Sequence, residues 1–507
     1  MNRTNVVRAA VTGNLAKGPH TDVLALVGQL FRRQPDEFNH ESLYRVLRDG
    51  MHQARLTATT RLPPSRALAQ ALGIARNTVV QVYAQLALEG YVVSQVGRGT
   101  FVADMVPLVK PQVPAAAVAP ATRRALLSSR GGRLIDDAGA AALQWGAFTP
   151  GVPEVRLFPA QVWTRLQNRL WRKLTPPQMS YASGGGDAGL RYAISEHLRH
   201  SRGLQCTPEQ VVVTSGTQQS LHLVSQLLAD PGDTVWLEDP GYWGARSVFQ
   251  AQGLAVEPVA VDDEGLAPTD KQWLSPPRAM FVSPAHQYPL GVLMSQRRRR
   301  KLLDYAALRG VWVIEDDYDS EIRHRARPMP SLQGQDSHGR VIYLGTFSKT
   351  LFPALRLAYL VVPTALVAAF GQALNELYRE GHTPLQVVLA RFMSEGHYAS
   401  HLRRMRAVYR ARHDALLDAI AQHFGKSLPI WGRDAGLHLV LGLPAAVDDQ
   451  ALAARIAQAG VASRPLSLYH LRRPAPAGGL VLGYGGVDEA DIARHFATLA
   501  QATEGWL

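Results

Sequence analysis

Apolar spacing divides the chain into two textures. Between Asp22 and Asp104 apolar residues recur at three- and four-residue intervals in short blocks, which predicts amphipathic helices, and a small hairpin follows. Ser65, behind Pro63 and Pro64, is placed to open and cap a helix whose inner face is Leu68, Ala69 and Leu72. Gly73-Ile74 forms a tight turn, and a second helix from about Arg76 directs Val79, Val82, Tyr83 and Leu86 inward. Two short helices joined at a glycine make a helix-turn-helix. The runs Gly90 to Val93 and Val96 to Val102, around the tip Gly97-Arg98-Gly99, predict two strands of a wing.

From Phe148 to the C-terminus the texture changes. Strand-like apolar runs alternate with helical patterns, the signature of α/β architecture around a mostly parallel sheet. Between the two regions PLVKPQVPAAAVAP carries four prolines, which deny a helix its donors and favour an extended spacer. The Ala/Gly/Arg-rich stretch to about Gln144 continues the linker, with room for one short helix. The resulting division is 22–104, a linker over 105–145, and 146–507. No internal repeat is present.

At 507 residues the chain is too long for one core, and 46% hydrophobic content excludes general disorder. Cys206 is the single cysteine, so there is no internal disulfide framework and no cysteine-rich zinc site; no metal site is expected. The longest apolar stretch, Leu355 to Phe370, is broken by Arg356 and Pro363, and the first twenty residues lack the apolar core of a secretory signal. A cytoplasmic protein without a membrane partner is expected. Charge is uneven: residues 1–130 hold 16 basic and 7 acidic side chains, or +9 of the total +13. A basic front end joined to a nearly balanced remainder points to a polyanion partner.

The second helix of the front pair presents Arg76, Asn77, Thr78 and Gln81, side chains suited to phosphates and base edges in a major groove. Ser65, Arg66 and the wing-tip Arg98 complete the candidate contacts to double-stranded DNA. The whole segment RLPPSRALAQALGIARNTVVQVYAQLALEGYVVSQVGRGTFV resembles the winged helix of GntR-type bacterial regulators. It departs at Ala75, where that family has a serine opening the recognition helix.

In the large region five apolar runs stand out, at 211–213, 234–237, 279–282, 311–314 and 341–344, and each ends at once in polar or small residues. Ligands of open α/β sheets sit outside the carboxyl ends of the strands, so the five ends point to one crevice. A lysine just past a buried strand, Lys349, can lose its proton by desolvation and attack an aldehyde. An acid at a neighbouring strand end can hold a pyridinium nitrogen. Ser215-Gly216-Thr217 before a helix offers amides to a phosphate, Arg356 offers a cation, and Tyr242 offers a ring to stack. These are the requirements of pyridoxal 5′-phosphate.

LEDPGYWGAR, SPAHQYPLG, VIEDDYDSEIR and YLGTFSKTLFPALRLAYLVVP resemble the aminotransferase-like domain of MocR/GabR-type regulators, a fold type I architecture. The resemblance implies that Lys349 forms the Schiff base, Asp316 meets the pyridine nitrogen, and Tyr318 bonds the phenolic oxygen. It implies that Gly216, Thr217, Thr346 and Arg356 bind phosphate, with Tyr242 stacked on the ring. Tyr181 would reach the phosphate of a neighbouring subunit in a head-to-tail homodimer. Strand parity favours Asp316 over Asp317 and Asp319. His286 reads as structural, and the basic run Arg297 to Lys301 as the solvated opening of a helix.

The implied function is a transcription regulator that senses pyridoxal phosphate, alone or with an amine or amino acid, and reads an operator of two half-sites. The last strand region, Ala477 to Leu482, lacks the arginine that amino-acid-handling members use for a carboxylate; Arg464, Arg472 and Arg473 are the substitutes nearby. A working aminotransferase with an accessory DNA-binding domain is the alternative, and a pure coenzyme-binding protein a third reading.

Overall fold

A computed structural model describes residues 20–31, 38–104, 127–136, 145–181, 184–324, 330–379 and 381–507. The chain divides into two units, Met1–Val118 and Ala119–Leu507. The proline-rich run 107–120 lies outside the described residues. A short helix, Ser129–Asp136, precedes Gln144 and packs on helix Trp243–Ala251 of the large unit.

The front unit contains helices His20–Leu30, Asn39–His52, Ser65–Leu72 and Arg76–Leu88, then strands β1 (Val92–Gln95) and β2 (Gly99–Val102). Leu43, Leu47, Leu68, Val79, Val82 and Leu86 are buried together, each contributing about 1.5–3 kcal/mol by leaving water. Gly73, in the left-handed conformation, ends the third helix, and its amide bonds the Ala69 carbonyl. β1 and β2 pair antiparallel, Gln95 opposite Gly99, leaving Arg98 in the turn. One expectation fails locally. Ser65 is the first helical residue, Pro64 occupies the cap position, and no side chain caps the helix; the Ser65 hydroxyl instead accepts from Arg76 Nε at 3.4 Å.

The large unit is built on an eight-stranded sheet. Its strands are β3 (Val211–Thr214), β4 (Thr234–Asp239), β5 (Ala255–Asp262), β6 (Gly265–Leu266), β7 (Ala279–Val282), β8 (Trp312–Asp317), β9 (Val341–Thr346) and β10 (Ala358–Val361), ordered β3-β10-β9-β8-β7-β4-β5-β6. The run β5-β4-β7-β8-β9 is parallel, and β10 is antiparallel to both its neighbours. Helices cover the sheet, so its central strands are buried end to end and read as unbroken apolar runs. A smaller antiparallel sheet follows: β11 (Ile430–Trp431), β12 (His438–Gly442), β13 (Arg464–Pro465) and β14 (Gly479–Gly483), ordered β11-β12-β14-β13. Tyr409, Leu416 and Ile420 of the long helix His397–Phe424 share its core.

The incoming chain joins this smaller sheet first. Phe148 bridges Gly483, and Glu154 is gripped by Arg412 and Arg156, both at 2.6 Å, which hold its carboxyl down near 2 despite its burial. That anchor delivers Pro150 and Gly151 to the mouth of the large sheet. The basic helix Gln296–Arg309 is solvated along most of its first turns, with one correction. Arg299 is fully buried, and its guanidinium donates to the carbonyls of Met294, Pro330 and Pro284. Each of its three nitrogens meets a carbonyl, which makes burial of that charge tolerable.

Candidate functional site

Parallel strands carry their carboxyl ends to one edge, and there a cavity of about 370 Å³ opens. All five strand ends singled out in the sequence supply its wall: Thr217 after β3, Tyr242 after β4, Tyr288 after β7, Asp316 and Tyr318 from β8, and Thr346 and Lys349 from β9. Arg356 and Ser348 also line it.

Asp316 and Asp317 alternate across the strand. Asp317 turns away to Arg202 at 2.7 Å and Tyr343 at 2.6 Å, whereas Asp316 faces the cavity. Asp316 is buried and its Oδ1 has no hydrogen-bond partner. Burial, reinforced by Asp317, Asp319 and Glu238, raises its pKa well above the ordinary carboxyl value. Glu238 beneath it is itself pushed up to about 8 by burial. A buried carboxyl without a partner is costly, and a cation seated against it removes the cost.

Lys349, half-buried, lines the same cavity, its Nζ donating to the Gly151 carbonyl at 2.7 Å. Desolvation lowers its pKa, an effect that Asp319 and Asp316 only partly offset. The amine is therefore more readily neutral, the state in which it is a nucleophile.

Gly216 precedes helix Thr217–Leu228 with φ +119°. A Cβ there would lie 2.9 Å from the Arg356 guanidinium, so only glycine leaves the space between helix start and cation open. Arg356 holds a left-handed φ of +51° and makes no ion pair among the described residues. Helix-start amides beside an unpaired guanidinium are an anion seat. Thr217 and Thr346 line it, whereas Ser215 does not: its amide is taken by the Gln219 side chain. Tyr242 is half-buried, its hydroxyl held by Gln218 at 2.9 Å. Tyr181 stands away from the wall, 76% exposed.

Other wall residues were not read from the sequence. Gln218 sits in the helix that follows Ser215-Gly216, and Tyr288 lies within SPAHQYPLG, so both were within reach. Trp243 adjoins Tyr242 within LEDPGYWGAR and was equally within reach, whereas Gly151 and His438 come together with them only through the tertiary fold. Of the three arginines considered for a carboxylate, Arg464 alone lines the cavity; Arg472 sits by Asp239 and Arg473 donates to the Ser467 carbonyl. Arg464 lies near the rings of Trp243 and Tyr469, 5.9 and 5.7 Å from their centroids.

In the front unit Arg66, Arg76, Asn77, Gln81 and Arg98 are exposed, and Ser65 and Thr78 half-buried. Ala75 occupies the cap position of the fourth helix without a side-chain bond. No described helix is long and apolar enough to cross a membrane.

Fold and cavity define an aminotransferase-like domain of fold type I carried by the same chain as a winged-helix DNA-binding unit. Residues 152–491 match the family model "Aminotransferase class I and II", and residues 39–102 match "Bacterial regulatory proteins, gntR family". The chain is 40% identical to the probable rhizopine catabolism regulatory protein MocR of Rhizobium meliloti, over 93% of this chain and 94% of that one. It is 30% identical to the pyridoxine biosynthesis transcriptional regulator PdxR of Corynebacterium glutamicum, over 88% and 92%. Among solved structures, the α-aminoadipate aminotransferase LysN of Thermus thermophilus, complexed with N-(5'-phosphopyridoxyl)-L-leucine, superposes with a TM-score of 0.66 at 28% identity, covering 74% of this chain and 97% of that one. The chain belongs to the MocR-type transcriptional regulators.

Pyridoxal phosphate is the coenzyme of this fold, and the residues present fit it. The orphaned Asp316 oxygen suits a protonated ring nitrogen, the open glycine turn and Arg356 suit a phosphate, and the desolvated Lys349 suits an aldehyde.

Proposed function

We propose that the cavity is a coenzyme-based sensor whose occupancy sets how the winged helix grips an operator. The observation that carries this reading is that Asp316, buried and lacking a partner at Oδ1, and Lys349, desolvated, line one cavity in a chain that also carries a DNA-binding unit. When bound, the coenzyme supplies an electrophilic carbon that captures amines. Lys349 holds that carbon, Asp316 keeps the ring nitrogen protonated, and Tyr318 donates to the ring oxygen. The amides of Gly216 and Thr217, with Thr346 and Arg356, fix the phosphate, while Tyr242 covers the ring.

Arg464 supports an amino-acid effector. A guanidinium near two aromatic rings at the cavity wall is positioned for a carboxylate, which replaces the missing arginine of the last strand. The exposed Tyr181 supports a head-to-tail homodimer in which it completes the partner's phosphate site. Two half-sites, direct or inverted, then follow for the operator. A DNA-binding role and the absence of a spanning helix among the described residues support a cytoplasmic location.

The Lys349 and Asp316 pair is also what transamination needs, and the chain is 31% identical over 71% of its length to a 2-aminoadipate transaminase of Thermus thermophilus. Steady-state transamination measured beside operator binding separates the two. Tight, salt-sensitive retardation of the protein's own upstream DNA with negligible turnover supports the regulator; rapid turnover with no retarded complex supports the enzyme.

A further inference from the structure

Beside Tyr318 stand two residues that have no role above in holding the coenzyme, His286 and the cavity-lining Asp319. His286 and Asp319 are both 2% exposed. His286 Nδ1 lies 3.1 and 3.0 Å from the two carboxylate oxygens of Asp319, and 2.9 Å from the Tyr318 hydroxyl. One nitrogen is thus shared between a carboxylate and a phenol, and the carboxylate decides how. An ionised carboxylate only accepts, so Nδ1 carries a proton and directs it at Asp319. The Tyr318 oxygen can then only accept a share of that same N–H. Its own proton has to point elsewhere, and Tyr318 lines the cavity.

Two observations fix the ring in this state. His286 Nε2 is buried with no hydrogen-bond partner, so a second proton there would be a charged donor left unsatisfied. The ring also fits closely between Gly436 and Gly291: a Cβ built at Gly436 would fall 2.3 Å from Cε1, and one at Gly291 would fall 2.9 Å from Nε2. The imidazole is clamped between two glycine backbones. Burial, with Asp319 next, raises the Tyr318 phenol well above its usual range, so it keeps the proton it is to donate. The other titratable groups around this relay include Asp316 and Glu238 from the strand ends, Lys349, Tyr288 and His438, with Arg323, His324 and Tyr484 on its far side.

We propose that Asp319 and His286 are positioning residues that turn the Tyr318 phenol proton into the cavity, toward the ring oxygen of the bound coenzyme. The proposal rests on the coenzyme reading above. If Asp319 loses its charge, Nδ1 is released to accept, Tyr318 turns its proton inward, and the coenzyme oxygen loses a donor.

The test follows the absorption of the full-length, coenzyme-loaded chain across pH. A ring oxygen that loses a donor becomes more basic and holds its shared proton more tightly, so the midpoint of the colour change rises. Tyr318→Phe should raise it by about one to two pH units, the worth of one hydrogen bond to a charged oxygen. Asp319→Asn also removes a charge that raises the Lys349 amine, so its share in the relay is read against the Tyr318→Phe background: the shift it makes with the phenol present should lie above the shift it makes in Tyr318→Phe by a large part of that value, because the relay acts through that phenol. His286→Gln provides an independent arm if the aspartate variant does not fold, with the same direction expected. A midpoint unmoved in the His286 variant while Tyr318→Phe shifts it, or an Asp319→Asn shift that is the same with and without the Tyr318 hydroxyl, overturns the relay and leaves the coenzyme reading intact. A wild-type chain that stays colourless with coenzyme overturns both.

Discussion

Lys349 Nζ donates to the carbonyl of Gly151, 198 residues earlier in the chain, at 2.7 Å. This bond ties the reactive amine to the segment that enters from the smaller sheet, so any shift of that segment is felt at the lysine. Gly151 has φ +77°, and a Cβ there would lie 2.8 Å from Nζ. Gly151→Ala is expected to displace the amine and to slow coenzyme uptake at least tenfold, about 1.4 kcal/mol in the barrier. Stopped-flow absorbance checks it; an unchanged rate would remove the bond from the account.

Uptake should also depend on pH in a definite sense. Burial lowers the Lys349 pKa below the ordinary 10.5, so the neutral amine accumulates as pH rises through that lowered value. The rate of covalent capture is expected to climb with pH and to level off below the range of a free lysine. A profile still rising at the ordinary lysine value contradicts the desolvated amine.

Asp316→Asn should affect the free and loaded proteins in opposite directions. The folded carboxyl holds its proton above the ordinary value of 3.8, so its ionisation burdens the free fold increasingly as pH rises from there toward the raised value. The free variant should match wild type in acid and exceed it in stability at neutral pH. Its coenzyme affinity should drop about a hundredfold or more, since a buried cation loses its partner. Thermal melts with and without coenzyme report both effects.

The recognition helix lacks its cap because Ala75 stands where a hydroxyl would accept from the helix amides. Ala75→Ser is expected to stabilise that helix by about 1 kcal/mol, read as slower hydrogen exchange of the amides of 76–79 in the full-length chain. Arg98→Ala, at the wing tip, should weaken operator binding on all sequences alike and lower the salt slope by about one. A change in base preference would place Arg98 on a base instead of a phosphate.

Much of this site is legible in the sequence because buried parallel strands read as unbroken apolar runs and their polar ends stand out against them. Parity along β8 separates Asp316 from Asp317 for the same reason: one residue of an adjacent pair must turn away, and Asp317 does so to Arg202. What the sequence hides is whatever depends on contacts between distant segments. The Leu355–Phe370 stretch conceals β10, a buried strand running against both neighbours. Arg299 reads as solvated because charge runs usually are, yet carbonyls of the preceding loop at Met294 and of Pro284 and Pro330 receive its three nitrogens. Arg464 enters the cavity only because β13 pairs with β14 at the sheet edge.

The central claim is coupling between cavity and operator, and one titration tests it directly. Labelled upstream DNA is titrated with full-length protein, with and without coenzyme, while the coenzyme's absorption reports occupancy in the same sample. Occupancy should change operator affinity by about fivefold or more, and the Lys349→Ala variant should lose that dependence while still binding DNA. Equal affinity at zero and full occupancy, in wild type as in the variant, would contradict it.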